Sequence, residues 1–281
     1  MFLAWKDPLQ YYGGLVRDYS WYSIKHNKEF RSRLRGNGWR STGYSARVSD
    51  AARTKLGAAL LNSQPSKDEL YATTVLPEEP DRFILKNGKI VRGKTSDVHV
   101  YHYDKLASAL SLTQDSKCTV LEVGCGHGRN LFWLKSNYPE LHLCGLDISP
   151  VSIDLCKSLS GRLGLQIEFS PISDHLLPIA DDSFDIVFTY HCIEQCPYTY
   201  KEVIQELLRV TKRRVVLFEP MVELQGRSLR GLANRHHAFH NNYPTRVYSH
   251  LKTVANIRSQ QPTGWASNPA WETCLVVIDK E

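Results

Sequence analysis

The stretch Val120-Leu121-Glu122-Val123-Gly124-Cys125-Gly126-His127-Gly128-Arg129-Asn130 restricts the fold more than any other part of this 281-residue chain. An apolar run opens into glycines at every second position, and a helical pattern follows. Thr119–Val123 therefore reads as a strand that ends in a tight turn and a helix start. In an open parallel sheet, ligands bind beyond the carboxyl ends of the strands, so this turn stands where a ligand would sit. Glycine suits it because it takes positive φ without a steric penalty and lets the backbone approach a bound group closely. The free N–H groups at the start of the helix would face a carboxylate or phosphate.

Around that turn the chain alternates strand and helix patterns, beginning after about residue 100. Asp104–Leu112 reads as a helix, Asn130–Lys135 as a second that stops at Tyr138-Pro139, and Leu141–Leu146 as a strand. Ser149 then caps a helix with Pro150 in its first turn, Ile153, Cys156, Leu159 and Leu163 on one face, and Gly164 at its end. Strands are expected at Gln166–Phe169, Phe184–Phe188, Val215–Phe218 and Thr273–Ile278, with a helix over Tyr200–Val210. Strands joined by crossover helices predict an α/β fold: a doubly wound, mostly parallel sheet covered on both faces. Residues 1–100 lack this rhythm and read as a basic, aromatic-rich, partly helical extension or lid, which leaves 101–281 as the domain that carries the site. Within the extension, Phe83-Ile84-Leu85 and Ile90-Val91 flank Asn87-Gly88, the signal of a tight hairpin.

Charge and cysteine usage narrow the setting. Residues 1–60 hold eleven Lys or Arg against four acids, a balance of +7, while the whole chain carries +6. That segment also contains Tyr11, Tyr12, Tyr19, Trp21, Tyr22 and Trp39, a composition suited to a solvated lid or to an anionic partner. The seven cysteines show no CxxC spacing, which fits a reduced compartment better than a disulfide framework. The opening residues do not form a signal-peptide pattern and no run approaches the roughly 20 apolar residues of a membrane helix, so a cytoplasmic location is expected.

Spacing separates two families of ligand. The dinucleotide fingerprint is GxGxxG, whereas this turn is GxGxG with Glu122 two residues before the first glycine. A carboxylate is awkward beside a pyrophosphate and suitable near a cationic ligand end. Asp147, at the end of the next strand, can accept hydrogen bonds from ribose hydroxyls. The segment resembles the class I (Rossmann-like) S-adenosylmethionine-dependent methyltransferase family, in its small-molecule branch. Gly145-Leu146-Asp147-Ile148-Ser149 is similar to that family's ribose-binding turn, and Leu177-Pro178 through Asp182-Ser183-Phe184-Asp185-Ile186-Val187 is similar to its approach to the fourth strand. Glu202–Val210 leading to Val215–Phe218 is similar to its following helix and strand.

The resemblance implies S-adenosyl-L-methionine as cofactor, with Gly124, Cys125, Gly126 and Gly128 around the methionine moiety, Glu122 beside it, Asp147 on the ribose and Ile148 on the adenine. It puts an acid near the adenine amino group, for which Asp174 is the candidate, and places Tyr190 and His191 along the floor of the reaction site. Two departures stand out. The family's histidine after the fourth strand is replaced by Gln195, and its Pro-Gly-Gly turn gives way to Thr211-Lys212-Arg213-Arg214.

Methyl transfer from a sulfonium is an in-line displacement, so such a site mainly positions a nucleophile and excludes water. His191 and Glu219 are the candidates for moving an acceptor's proton. His236, His237 and Tyr243 are the candidate substrate residues, in a segment that should overhang the same sheet edge. The histidines there lack a Cys or carboxylate at ligand spacing, and no metal is expected. The expected activity is methyl transfer to an N or O atom of a small-molecule acceptor. The alternatives are an RNA or protein methyltransferase using the basic segment, and a non-catalytic cofactor-binding regulatory module.

Overall fold

The computed structural model of the protein describes residues 82–113, 116–173, 175–226, 231–232, 234–235, 238, 243–269 and 271–280. The basic segment and the candidates Asp174, His236 and His237 lie outside the described residues. Strands β1 (Arg82–Lys86) and β2 (Lys89–Gly93) form the hairpin expected at Asn87-Gly88, with positive φ at both turn residues. Leu85 of this hairpin exchanges backbone hydrogen bonds with Ala266, which ties it to the end of the chain.

Helix α1 (Thr95–Leu110) follows, then β3 (Thr119–Val123), α2 (Arg129–Asn137), β4 (His142–Asp147), α3 (Pro150–Leu163) and β5 (Ile167–Pro171). β6 (Phe184–Tyr190), α4 (Tyr200–Val210), β7 (Thr211–Pro220), α5 (Val247–Val254), β8 (Ile257–Pro262) and β9 (Thr273–Asp279) complete the order. Seven strands form one sheet in the order β5-β4-β3-β6-β7-β9-β8. β5, β4, β3, β6 and β7 pair in parallel, and β9 and β8 are added antiparallel. The doubly wound, mostly parallel sheet read from the sequence is therefore present, and its order reverses beside β3.

The helices form for the reasons the sequence offers. Ser149 accepts a hydrogen bond from the Ser152 N–H at 3.3 Å, Pro150 sits in the first turn, and Gly164 closes α3 in the left-handed conformation. α4 buries Val203, Ile204, Leu207 and Val210. It passes into β7 without an intervening turn, so Thr211–Arg214, read as a connection, is the start of a strand. α1 begins nine residues before the expected Asp104 and runs across residue 100. Two clusters cover the sheet, one around Phe132, Phe188 and Phe218 and one around Leu121, Val187 and Leu217. Alternate residues of β3, β6 and β7 supply opposite clusters, as a sheet buried on both faces requires. Among the described residues, no helix is long and apolar enough to cross a membrane.

Candidate active site

The turn after β3 is built as its residue types demand. Gly124, Gly126 and Gly128 have φ of 76°, 54° and 72°. The N–H groups of Gly124 and Cys125 both donate to the Leu146 carbonyl, at 2.7 and 2.9 Å, which fastens the turn to β4. At Gly124 the demand is steric as well, since an added Cβ would lie 2.5 Å from Cys192 Sγ. Gly126 differs: an added Cβ there would meet nothing within 4 Å. The thiols of Cys125 and Cys156 lie 4.0 and 3.4 Å from the Gly126 carbonyl oxygen, and Cys125 is buried.

Two carboxylates flank the turn. Asp147 is buried at the end of β4, with one oxygen accepting the Gly126 N–H at 2.7 Å and the other the Ser149 N–H at 2.8 Å. It thereby links the glycine turn to the start of α3. Glu122 is 1% exposed, and its Oε1 accepts from Asn130 Nδ2 at 2.6 Å. Its Oε2 and the Asn130 side-chain Oδ1 are buried without a partner. Burial pushes the Glu122 carboxyl up to about 8. Next to Asp147, Ile148 is 52% exposed, a bare apolar side chain at the lip of the site.

Beyond β6 the chain makes a second cluster. Tyr190 stacks on Phe218, and its hydroxyl lies 2.6 Å from His102 Nδ1 on α1. Burial holds His102 down to about 3, so the ring is neutral at pH 7. His102 Nε2 lies 3.3 Å from the Trp265 carbonyl and serves as the donor there, leaving Nδ1 to accept from Tyr190. Arg129, at the start of α2, donates from Nη1 to His99 Nε2 at 2.7 Å, and its guanidinium sits 5.7 Å from the Tyr190 ring centroid. No carboxylate among the described residues pairs with it.

His191 follows with φ of 56°, which is uncommon for a residue with a side chain. Its Nδ1 lies 3.3 Å from Glu194 Oε2 and its Nε2 2.8 Å from Thr273 Oγ1. Glu219 is buried; its two oxygens accept from the N–H groups of Cys192 and Glu194, at 2.8 and 3.4 Å, so this carboxylate fastens the turn that carries His191. Burial pushes Glu219 up to about 7. Tyr243 packs on Trp271 with ring centroids 5.0 Å apart, and the Trp271 indole N–H donates to Glu194. The structure thus brings Glu122, the three glycines, Asp147 and Ile148 to one turn, and Tyr190, His191 and Glu219 to the ends of β6 and β7. Asn130, Arg129, His102 and Glu194 were not singled out from the sequence. For Asn130 and Arg129 the available signal was their position directly after the last glycine.

Residues 120–214 match a family model described as a methyltransferase domain. This segment is a methyltransferase domain. Two curated relatives share it in part. One is the phthiotriol/phenolphthiotriol dimycocerosates methyltransferase of Mycobacterium leprae, 32% identical over 112 residues, which are 39% of this chain and 40% of the relative. The other is the ajmaline N-methyltransferase of Rauvolfia serpentina, 33% identical over 93 residues, or 32% of this chain and 31% of the relative. The matched region thus spans well under half of either relative. Among solved structures, the [4+2]-cyclase SpnF aligns with a TM-score of 0.56 at 16% identity, covering 83% of this chain and 96% of that one. It shares the fold of this chain, and a shared fold alone does not assign a reaction.

Proposed function

We propose that this chain transfers a methyl group from S-adenosylmethionine to a nitrogen or oxygen atom of a small-molecule acceptor. One observation carries the reading: an open cradle at Gly126 on the same turn as a buried Glu122 oxygen that has no partner. A ligand with an ammonium group would supply that partner. When bound, the cofactor provides a methyl group on a sulfonium whose departing form is a neutral thioether. Glu122 would hold the ammonium, Arg129 the carboxylate, Asp147 the ribose hydroxyls and Ile148 one face of the adenine. Asp174 remains the candidate for the adenine amino group. On the acceptor side, Tyr190 and His191 are the candidates for the floor, His191 and Glu219 for moving an acceptor's proton, and Tyr243 with His236 and His237 for holding the substrate. The matched relatives, each a small-molecule methyltransferase by name, support that class of acceptor.

The test uses methyl-labelled S-adenosylmethionine with a fractionated cell extract. Label should enter a small-molecule fraction with wild-type protein and much more slowly with Asp147→Ala at the same low cofactor concentration. Label found only in RNA or protein would contradict the acceptor class, and tight binding with no transfer to any fraction would favour a regulatory module.

Glu122 adds a dependence on pH. Its carboxyl is pushed up to about 8 in the free protein, and an ammonium beside it favours the charged form. Cofactor binding should therefore release a proton from Glu122 at neutral pH, and affinity should rise roughly tenfold per pH unit between 6 and 7. Calorimetry in buffers of different ionisation heat reads this directly. Equal proton release by wild type and Glu122→Gln would remove Glu122 from the site.

A further inference from the structure

The methyltransferase reading leaves open what protonation state His191 brings to the acceptor, and the residues around it answer in combination. Glu194 is buried in the short 3-10 turn Ile193–Gln195, yet it is well supplied with donors. Gln195 Nε2 donates to Oε1 at 3.1 Å, Trp271 Nε1 donates to Oε2, and the His191 Nδ1 lies 3.3 Å from Oε2. A buried carboxylate satisfied in this way stays ionised. The second ring nitrogen of His191 is engaged by Thr273 Oγ1 on β9 at 2.8 Å, so both nitrogens are fixed and the ring cannot turn freely. The backbone contributes too. His191 is held at positive φ with its N–H donating to the Phe218 carbonyl at 2.9 Å, while Glu219 grips the next N–H groups of the turn. Strain of this kind persists where surrounding structure over-determines it, and it clusters at functional sites.

We infer that Glu194 is a positioning residue that orients His191 through Nδ1 and favours the imidazolium form of its ring. The inference rests on the methyltransferase reading only for its consequence, not for the geometry. In the charged state both nitrogens carry hydrogens, Nδ1–H facing Glu194 and Nε2–H facing Thr273. Such a ring has no lone pair with which to take a proton from an acceptor. It offers positive charge instead, and acts as a base only after it has lost one proton to solvent. An acceptor whose attacking atom is already a free amine or an oxyanion needs nothing more from it. Gln195, which occupies the family's histidine position, joins this arrangement as a donor to Glu194.

Other charges bear on the same ring. Burial alone would lower the imidazole, and Arg129 on α2 acts in the same direction; Glu194 first and Glu219 second outweigh them and leave the ring above its ordinary value. Glu194 in turn is held below the usual carboxylate range, burial being overcome by His191 and the two donors. His99 and His102 on α1 are neutral at pH 7, with burial pushing them to about 2 and 3. They add no charge against His191 near neutrality.

The experiment is a pH titration of the full chain, labelled with isotopic histidine, by nuclear magnetic resonance, with the His191 signal assigned by its loss in His191→Gln. In wild type, His191 should titrate above 6.5. Glu194→Gln should lower it by about one unit or more, and Glu194→Asp should restore part of the difference. Wild-type titration at or below 6.5, or a value unchanged by Glu194→Gln, overturns the inference. The wild-type result decides even if Glu194→Gln fails to fold. Calorimetric binding of S-adenosylmethionine by Glu194→Gln should stay within about twofold of wild type; a complete loss of binding would contradict a role confined to His191. If wild type itself binds no cofactor, it is the methyltransferase reading that fails, and the titration still judges Glu194.

Discussion

Replacing Asp147 by alanine should weaken S-adenosylmethionine binding by about 1–3 kcal/mol, or roughly five- to 150-fold. Asp147 accepts the Gly126 N–H at 2.7 Å and the Ser149 N–H at 2.8 Å, and it is the carboxylate proposed to meet the ribose hydroxyls. The variant loses charge-assisted bonds to ligand and, at the same time, the link between the glycine turn and α3. Asp147→Asn separates the two effects, because its carbonyl oxygen can still accept one of the backbone donors. It should fall between wild type and alanine in both melting temperature and affinity. Calorimetry checks the affinity, with thermal unfolding measured on the same samples. Affinity unchanged in Asp147→Ala would show that the nucleoside lies elsewhere.

The second large effect falls on stability. Gly124→Ala should destabilise the fold by about 2–5 kcal/mol, the sum of left-handed strain and overpacking. φ at Gly124 is 76°, and an added Cβ would lie 2.5 Å from Cys192 Sγ and 2.7 Å from Cys192 Cβ. Cys192 cannot retreat easily, because its N–H is held by Glu219 at 2.8 Å. Gly126→Ala provides the contrast. It shares the positive φ, at 54°, but its new methyl group meets nothing within 4 Å. Its loss of stability should be limited to about 1–2 kcal/mol of strain, while cofactor affinity falls because the methyl group takes space the ligand needs. Urea unfolding ranks the two variants. Equal stability loss in both would mean that Cys192 yields and that the close approach at Gly124 is unimportant.

Much of this architecture was legible because it is local. The strand Thr119–Val123 and the helix Tyr200–Val210 stand where the apolar pattern puts them. α3 starts and stops at its Ser149 cap and Gly164. Edge elements escaped for a physical reason. β8 carries Arg258, Ser259, Gln260 and Gln261, all exposed, so burial imposes no alternation of apolar and polar residues on it. The first half of α1 is rich in valine, histidine and tyrosine, residue types of modest helix propensity, and it is held as a helix by Val98, His102, Tyr103 and Leu106 packing inward at helical spacing.

The site divides in the same way. Glu122, the glycines and Asp147 belong to one strand-turn-helix unit and its neighbour, and their spacing alone brings them together. His102 against Tyr190, and Trp271 against Glu194, join residues 88 and 77 positions apart. Nothing in local pattern foretells such meetings; they follow from α1 packing onto β6 and β7 and from β9 lying beside β7. Glu194 carries no local signal in the sequence; it meets His191 through the short turn after β6. Glu194 Oε2 lies 3.3 Å from His191 Nδ1.

The most direct measurement is a calorimetric titration of the purified chain with S-adenosylmethionine and with its demethylated product. The account predicts saturable heat at one site for both ligands, reduced in Asp147→Ala and in Gly126→Ala. A folded wild-type chain that gives no heat with either ligand would contradict the claim that the glycine turn after β3 holds an adenosyl sulfonium.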